Sequence, residues 1–503
     1  MLHIQNERLD DKKDPQRTYL LSAWQRMCLL LKKDFTPFLP RVLPSLFKLA
    51  SLNPETGVAG LVEGNSLAEV ISEVTEKGGE ARLNINTDET EEKDVAIQML
   101  AVFIDELEGG FIEYVEPTSQ LMLSLVGYEL NDSIRSSVAE CLPGLVKCAK
   151  CANPDNRDYI IGMGKTFADA LTKVLKDENE TECLIAQVQA LKSVIDEVGA
   201  GFFTDVEQVN TLSQLGLEQV VLSDKRIEEN KSEYELQLSI AELIGILFKT
   251  HQALCGPLIQ ELFNTVLRET VTSHIKQKKK FALFILDDMV EFLGEGLGVK
   301  FTDVSEALLA FAANPSPALR QASSYGIGMM AQNCGPLFAQ VSQNCLTQLK
   351  LSIEIAKPPA DAAGKNKEKQ WRHARDNAIS ALGKMVRYQS HCIDVNVIVP
   401  SWIELMPITT DLEEAKIQSS IFAELFSSQA NLVLGANRER LPNVVMILGE
   451  ILTPKLADEA VLARLAEATK QLSNDPELGP AFQEIFSSKL SQEAKNRIQK
   501  ACQ

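Results

Sequence analysis

The sequence predicts an all-α chain built as a stacked array of helical hairpins. Three observations predict it. One phrase returns at a fixed interval: "FIDELEGGF" at 103–111, "VIDEVGAGF" at 194–202 and "ILDDMVEFLGEG" at 285–296. Its leading aspartates, Asp105, Asp196 and Asp287, follow one another at 91-residue steps, and half of that step, about 45, falls in the range of HEAT and armadillo repeats. Apolar residues recur at helical spacing, as in Leu184, Val188, Leu191, Ile195 and Val198, which make one stripe. No stretch alternates apolar and polar residues over a strand's length, so no sheet is expected.

Each element follows from the same signals. Second helices of about ten hairpins are expected near 18–33, 92–108, 132–149, 180–199, 232–250, 276–293, 316–333, 366–387, 411–428 and 456–472. First helices are expected between them, for example over 111–130, 155–176, 203–222, 254–271 and 336–356. Paired acids come late in the helices of the recurring phrase, and glycine ends them. Two phrases, "NDSIRSSVAECLPGLVKCA" (131–149) and "NPSPALRQASSYGIGMMAQ" (314–332), share an Asn-led turn, then Arg135 or Arg320, then small residues. The Arg is expected to tie turns together, and the small residues to let two helices approach closely.

Breaks in the pattern suggest the organisation: helices over 1–51, an acidic insertion over 52–93, an array over 94–356, a Lys-rich flexible linker over 357–370, and terminal hairpins over 371–503. The insertion holds ten acidic and three basic residues and ends in Asp88, Glu89, Glu91 and Glu92. Long inserts are usually functional or disordered. A shorter acidic linker is expected over 224–235.

The chain has 503 residues, more than one compact core accommodates. Its net charge of −19 repels phosphates and favours basic partners, which argues against direct nucleic-acid binding. No apolar run is long enough to span a bilayer, and the first twenty residues lack a signal core. The ten cysteines show no disulfide framework and are expected to be reduced.

Enzyme chemistry finds no footing. "CAKC" (148–151) lacks the further ligands that zinc needs. "GEGLG" (294–298) follows a helix instead of a strand, so it is no phosphate loop. The five histidines are dispersed, and no nucleophile–base constellation appears. No catalytic residue, cofactor or metal is expected. "KQKKK" (276–280) is expected to begin a solvated helix face.

Several phrases together are similar to one family: "EEKDVAIQML" (91–100), "LDDMVEF" (286–292), "ALRQASSYGIGMMAQ" (318–332), "ARDNAISALGKM" (374–385), "MPITTDLEEAK" (406–416) and "LVLGANRERLP" (432–442). In this order and spacing the chain resembles the C-terminal half of importin-β-type nuclear transport receptors, in the karyopherin-β3 (importin-5) branch. The resemblance implies a right-handed α-solenoid superhelix of HEAT repeats, with second helices on the concave side. It also implies basic cargo such as ribosomal proteins and histones, regulation by Ran-GTP, contact with FG nucleoporins on the convex side, and shuttling between cytoplasm and nucleus. A monomer is expected. The receptors are about twice this length, and the half without a counterpart here holds the main Ran-binding repeats and much of the cargo site. The alternative is a passive HEAT scaffold of a cytosolic assembly.

On such a fold, Asp105/Glu106, Asp196/Glu197 and Asp287/Asp288 would form a discontinuous acidic row facing the groove, where a Lys/Arg-rich segment is drawn in. The alternative is that each acid pairs with a Lys or Arg of the next repeat. Trp24 and Trp371 are candidates for stacking on a basic side chain, or else core. Asn377 is a candidate backbone clamp, or else helix packing. Trp402 is expected in the core. Asp88, Glu89, Glu91 and Glu92 form a candidate acidic loop that contacts basic cargo or Ran.

Overall fold

The computed structural model describes residues 16–52, 87–227, 230–267, 272–355, 357 and 360–503. Among the described residues every regular element is helical and no strand forms. The chain divides into two units, one through Leu258 and one from Ile259.

The first unit runs α1 (Gln16–Leu31), α2 (Leu39–Ala50), α3 (Thr87–Leu107), α4 (Ile112–Leu125), α5 (Asp132–Ala152), α6 (Arg157–Leu175), α7 (Thr181–Val198), α8 (Val206–Arg226) and α9 (Glu233–His251). The second helices α1, α3, α5, α7 and α9 pack on one another in chain order, and first helices such as α4, α6 and α8 pack against them. The predicted α7 stripe is the core here: Leu184, Val188, Leu191, Ile195 and Val198 are all buried. Side-chain caps start several helices. Asn131 accepts from the Ile134 N–H at 3.0 Å, and Asp205 from the Gln208 N–H at 3.0 Å, satisfying donors that a helix start leaves open.

After the short α10 (Gly256–Glu261), the second unit contains α11 (Lys276–Asp288), α12 (Phe301–Leu309), α13 (Pro317–Asn333), α14 (Ser342–Glu354), α15 (Ala360–Tyr388), α16 (Val395–Leu405), α17 (Leu412–Ser428), α18 (Ala430–Leu434), α19 (Leu441–Ile451), α20 (Glu459–Asn474), α21 (Gly479–Lys489) and α22 (Gln492–Cys502). Here α11, α13, α15, α17, α20 and α22 stack in order.

The three recurring phrases end differently in detail. Helix α7 stops at Gly199 (φ +70°), and α11 widens into a π-turn over Met289–Leu293 before stopping at Gly294 (φ +51°). At the first phrase the left-handed position is taken by Glu108 (φ +46°), not glycine. Its carboxylate is held by Lys33 and Lys147, each at 3.2 Å.

Arg135 ties two turns together as its phrase suggested, whereas Arg320 braces only its own turn. Arg135 donates to both Glu178 carboxylate oxygens, at 2.7 and 3.1 Å, and to the Tyr128 carbonyl at 3.1 Å. Arg320 is buried and donates to the carbonyls of Asn314 and Pro315.

Two expected boundaries move. Helix α3 begins at Thr87, inside the stretch expected as a loop, and α15 begins at Ala360, inside the expected flexible linker. The alanines of 360–363 favour helix, and Glu368 pairs with Arg372 at 2.8 Å and Lys357 at 2.7 Å. Much of 224–235 is also helical: Arg226 at the end of α8 pairs with buried Glu233 at the start of α9, 2.7 Å away. The rest of the acidic insertion lies outside the described residues.

Candidate partner-binding face

The three acid pairs sit late on α3, α7 and α11, and the structure gives them three different environments. Asp105 and Glu106 on α3 reach solvent and accept no hydrogen bond and close no ion pair among the described residues. Glu140 of the neighbouring α5 is also exposed and unpaired there. Although Asp105 keeps solvent contact, the packed surround of α3 and α5 pushes its carboxyl above the ordinary range; Lys147 opposes this and Glu106 adds to it. Burial, and then the charge of Asp105, push Glu140 up as well. These three carboxylates therefore form a negative patch that a cation would stabilise. Beside it lies a cavity of about 430 Å³ lined by Asp34, Asp105, Glu106 and Glu108, with Lys32 and Lys33 at its edge.

Asp196 and Glu197 are committed instead to neighbouring repeats. Asp196 accepts from Lys249 of α9 at 2.7 Å, and Glu197 from Lys150 of α5 at 3.1 Å. Lys192 of α7 reaches Glu242 of α9 at 2.6 Å. With Lys147–Glu108 and Arg135–Glu178, these pairs make a ladder along the second helices of the first unit.

In the second unit, Asp287 is buried and turned against Gly326 of α13, so it does not present its charge to a partner. Burial drives its carboxyl well above the ordinary range, and Asp288 and Glu291 reinforce the shift. Asp288 is half-buried.

The other candidates are structural in their contacts. Trp24 is 1% exposed and packs edge-on to Phe35 at 6.0 Å. Trp371 is half-buried and donates its indole N–H to the Ile355 carbonyl at 3.1 Å. Asn377 is buried and donates to Asp411 at 2.9 Å and to the His373 carbonyl at 3.0 Å, leaving no free amide N–H aimed outward. Trp402 is fully buried, as expected, with its N–H on Gln418 at 3.0 Å. Glu89, Glu91 and Glu92 lie on the first turns of α3, not on a loop; Asp88 falls on the same helix, and its side chain lies outside the described residues. Cys148 is buried and Cys151 exposed, and no group of metal-ligating side chains forms among the described residues. The "KQKKK" run opens α11, but Lys279 and Lys280 turn back over Phe311 and Phe284.

Sequence reasoning missed two features. Glu140 belongs with Asp105 and Glu106; its signal was an acid on the same face of the next second helix. The phrases at 374–385 and 406–416 build a buried polar network. In it Asp376 accepts the Thr410 and Asp411 N–H groups, and Lys384 pairs with Glu414 at 2.9 Å. Ser380 also donates to Glu414, and Gln418 donates to Ser380.

No family model matches the sequence. Importin subunit beta-3 of Saccharomyces cerevisiae is 23% identical over 459 residues, covering 86% of this chain and 40% of the yeast protein. The resemblance is to the importin-β3 karyopherins. A probable importin-5 homolog of Dictyostelium discoideum is 22% identical over 438 residues, covering 81% of this chain and 39% of its own. The chain thus spans about two fifths of the length of these curated relatives. Among solved structures, the karyopherin Kap121p aligns with a TM-score of 0.77 at 19% identity, covering 99% of this chain and 45% of Kap121p. Kap121p bound to RanGTP aligns at 0.75 and 20% identity over 98% of this chain and 45% of Kap121p. The fold is therefore that of a karyopherin HEAT-repeat solenoid.

Proposed function

We propose that the chain is a region of a nuclear import receptor that shuttles between cytoplasm and nucleus. In this reading it binds a basic segment of cargo, and the whole receptor releases cargo to Ran-GTP and contacts FG nucleoporins. The observation that carries the reading is the unpaired patch of Asp105, Glu106 and Glu140 on a solenoid whose relatives are importins. A Lys- or Arg-rich segment would neutralise carboxylates that the fold leaves unsatisfied, while the ladder supplies rigidity.

A second observation supports the nucleoporin contact. Ile112, Tyr159 and Val206 open the first helices α4, α6 and α8 at 47-residue steps, and each is more than a third exposed. Such a row suits short aromatic–glycine segments that dock one side chain at a time.

The test is direct binding of the purified chain to a Lys/Arg-rich peptide, an FG-repeat peptide and Ran-GTP. Binding of the basic peptide is expected to weaken with salt. Failure to bind any of the three at low salt overturns the reading and leaves a passive scaffold.

A further inference from the structure

We propose that the exposed stretch of α15 from Lys365 to Arg375 binds a short acidic peptide segment that carries an aromatic side chain. The surface lies in the second unit, and its charge is opposite in sign to the patch of Asp105, Glu106 and Glu140.

The local charge balance sets the sign of the partner. Residues 357–375 hold six Lys or Arg and two acids, in a chain whose net charge is −19. Lys365, Lys367 and Lys369 are exposed and Arg375 is half-buried, and none of the four closes an ion pair or a hydrogen bond among the described residues. Between 365 and 375 the one acid is Glu368, and Lys357 at 2.7 Å and Arg372 at 2.8 Å already share it. The acids next to the run are engaged as well. Asp376 is buried and accepts the Thr410 and Asp411 N–H groups, Asp411 accepts from Asn377 at 2.9 Å, and Glu354 lies 3.9 Å from Lys350. In the first unit the acids of α7 and α9 meet lysines of neighbouring repeats; here the fold leaves cations with no acid opposite them.

Trp371 supplies the apolar part. Lys367, Trp371 and Arg375 follow at four-residue steps, so they share one face of α15. Trp371 is half-buried and its N–H is engaged by the Ile355 carbonyl, so it offers a partner apolar ring surface. The flanking cations repel the basic side chain that the sequence suggested would stack there. An aromatic side chain between two carboxylates fits instead, its ring on Trp371 and its charges on Lys367 and Arg375. The stretch from Lys365 to Arg375 is about 15 Å long, the reach of about five extended residues. A longer polyanion such as RNA would run past it along a chain of net negative charge.

The experiment titrates an unlabelled acetyl-Asp-Glu-Phe-Glu-Asp-amide peptide into the whole chain by calorimetry, with tryptophan emission as a second readout. Trp24 and Trp402 are buried, so a change in emission reports Trp371. Saturable binding that weakens with salt is expected. Lys367→Glu/Arg375→Glu is expected to weaken it about tenfold. Lys455→Glu/Lys489→Glu, which reverses two exposed cations elsewhere in the second unit, is expected to leave it unchanged. Replacing Phe of the peptide by Ala is expected to weaken binding to wild type and not to Trp371→Ala. Circular dichroism and unchanged binding of a Lys/Arg-rich peptide establish that the variants are folded. Absence of saturable binding, equal loss in the two charge-reversed variants, an equal effect of the Phe replacement on wild type and Trp371→Ala, or tighter binding of a single-stranded RNA pentamer overturns the proposal. Failure of this peptide with retention of the basic one leaves the import-receptor reading standing.

Discussion

Asp287 of α11 lies against Gly326 of α13, and its Oδ1 is buried with no hydrogen-bond partner among the described residues. A side chain at 326 would collide with that carboxyl. Gly326→Ala is therefore expected to cost about 1–3 kcal/mol through overpacking, read as a lower urea midpoint.

The same contact predicts a pH dependence. The groups facing Asp287 are Asp288 and Glu291 on its own element and Tyr325 of α13, which donates to Glu291 at 2.8 Å. No cation closes on it among the described residues. With its folded-state value raised by burial, the protonated form favours folding. That stability is full below the ordinary carboxylate value, about 4, and is lost as pH rises toward the folded value. Asp287→Asn should remove this slope and raise stability at neutral pH. Urea midpoints of both proteins across that range check it; parallel curves would show that Asp287 does not titrate on unfolding.

Lys384 and Glu414 form the most buried ion pair among the described residues, with side chains 2% and 6% exposed. Breaking it should cost more than the pair itself contributes. Lys384→Met leaves a buried carboxylate unpaired and is expected to cost about 3–5 kcal/mol. Adding Glu414→Met should recover much of that loss. A double-mutant cycle measures the difference, and equal costs for the single and double variants would contradict the prediction.

His251 predicts the opposite pH response in the first unit. Its Nε2 accepts the Phe203 N–H at 3.1 Å, and its Nδ1 lies 2.6 Å from Thr250 Oγ1. Thr250 Oγ1 already donates to the Ile246 carbonyl, so the proton sits on Nδ1. Burial lowers the value of the ring. The neutral form favours folding, so its contribution is full above the ordinary histidine value, about 6.5, and is lost as pH falls through the folded value. Protonation also removes the acceptor for Phe203. Exchange of the Phe203 amide proton, corrected for its intrinsic rate, should gain protection from acid to neutral pH.

The ladder should be uneven in energy. Arg135→Ala removes a two-bond contact to Glu178 and a bond to the Tyr128 carbonyl in a half-buried place; about 1.5–3 kcal/mol is expected. Asp196→Asn removes one exposed pair and should cost no more than about 1 kcal/mol. Comparison of urea midpoints decides it.

The helices were legible because helical periodicity is local. The expected helix at 180–199 forms as 181–198, and that at 276–293 forms as α11 plus its π-turn. The helical edge at Thr87 was missed because the acid run reads as part of a loop, although acids in a first turn favour a helix start. Whether an acid was free was not legible, because that depends on the register between repeats. Lys249 stands 53 residues beyond Asp196, and Lys150 stands 47 before Glu197. Asp287 looked like its counterparts in sequence. Its burial follows from Gly326, which permits α13 to approach, and only the packed structure reveals that consequence.

The most direct test of the account separates free from committed acids. A labelled Lys/Arg-rich peptide is titrated at low salt against wild type, against Asp105→Asn/Glu106→Gln/Glu140→Gln, and against Asp196→Asn/Glu197→Gln. The triple variant is expected to bind about tenfold more weakly, the sum of several exposed pairs, and the double variant to match wild type. Equal binding by the triple variant, or a larger loss in the double variant, would contradict the claim that the unpaired patch on α3 and α5 receives the basic partner.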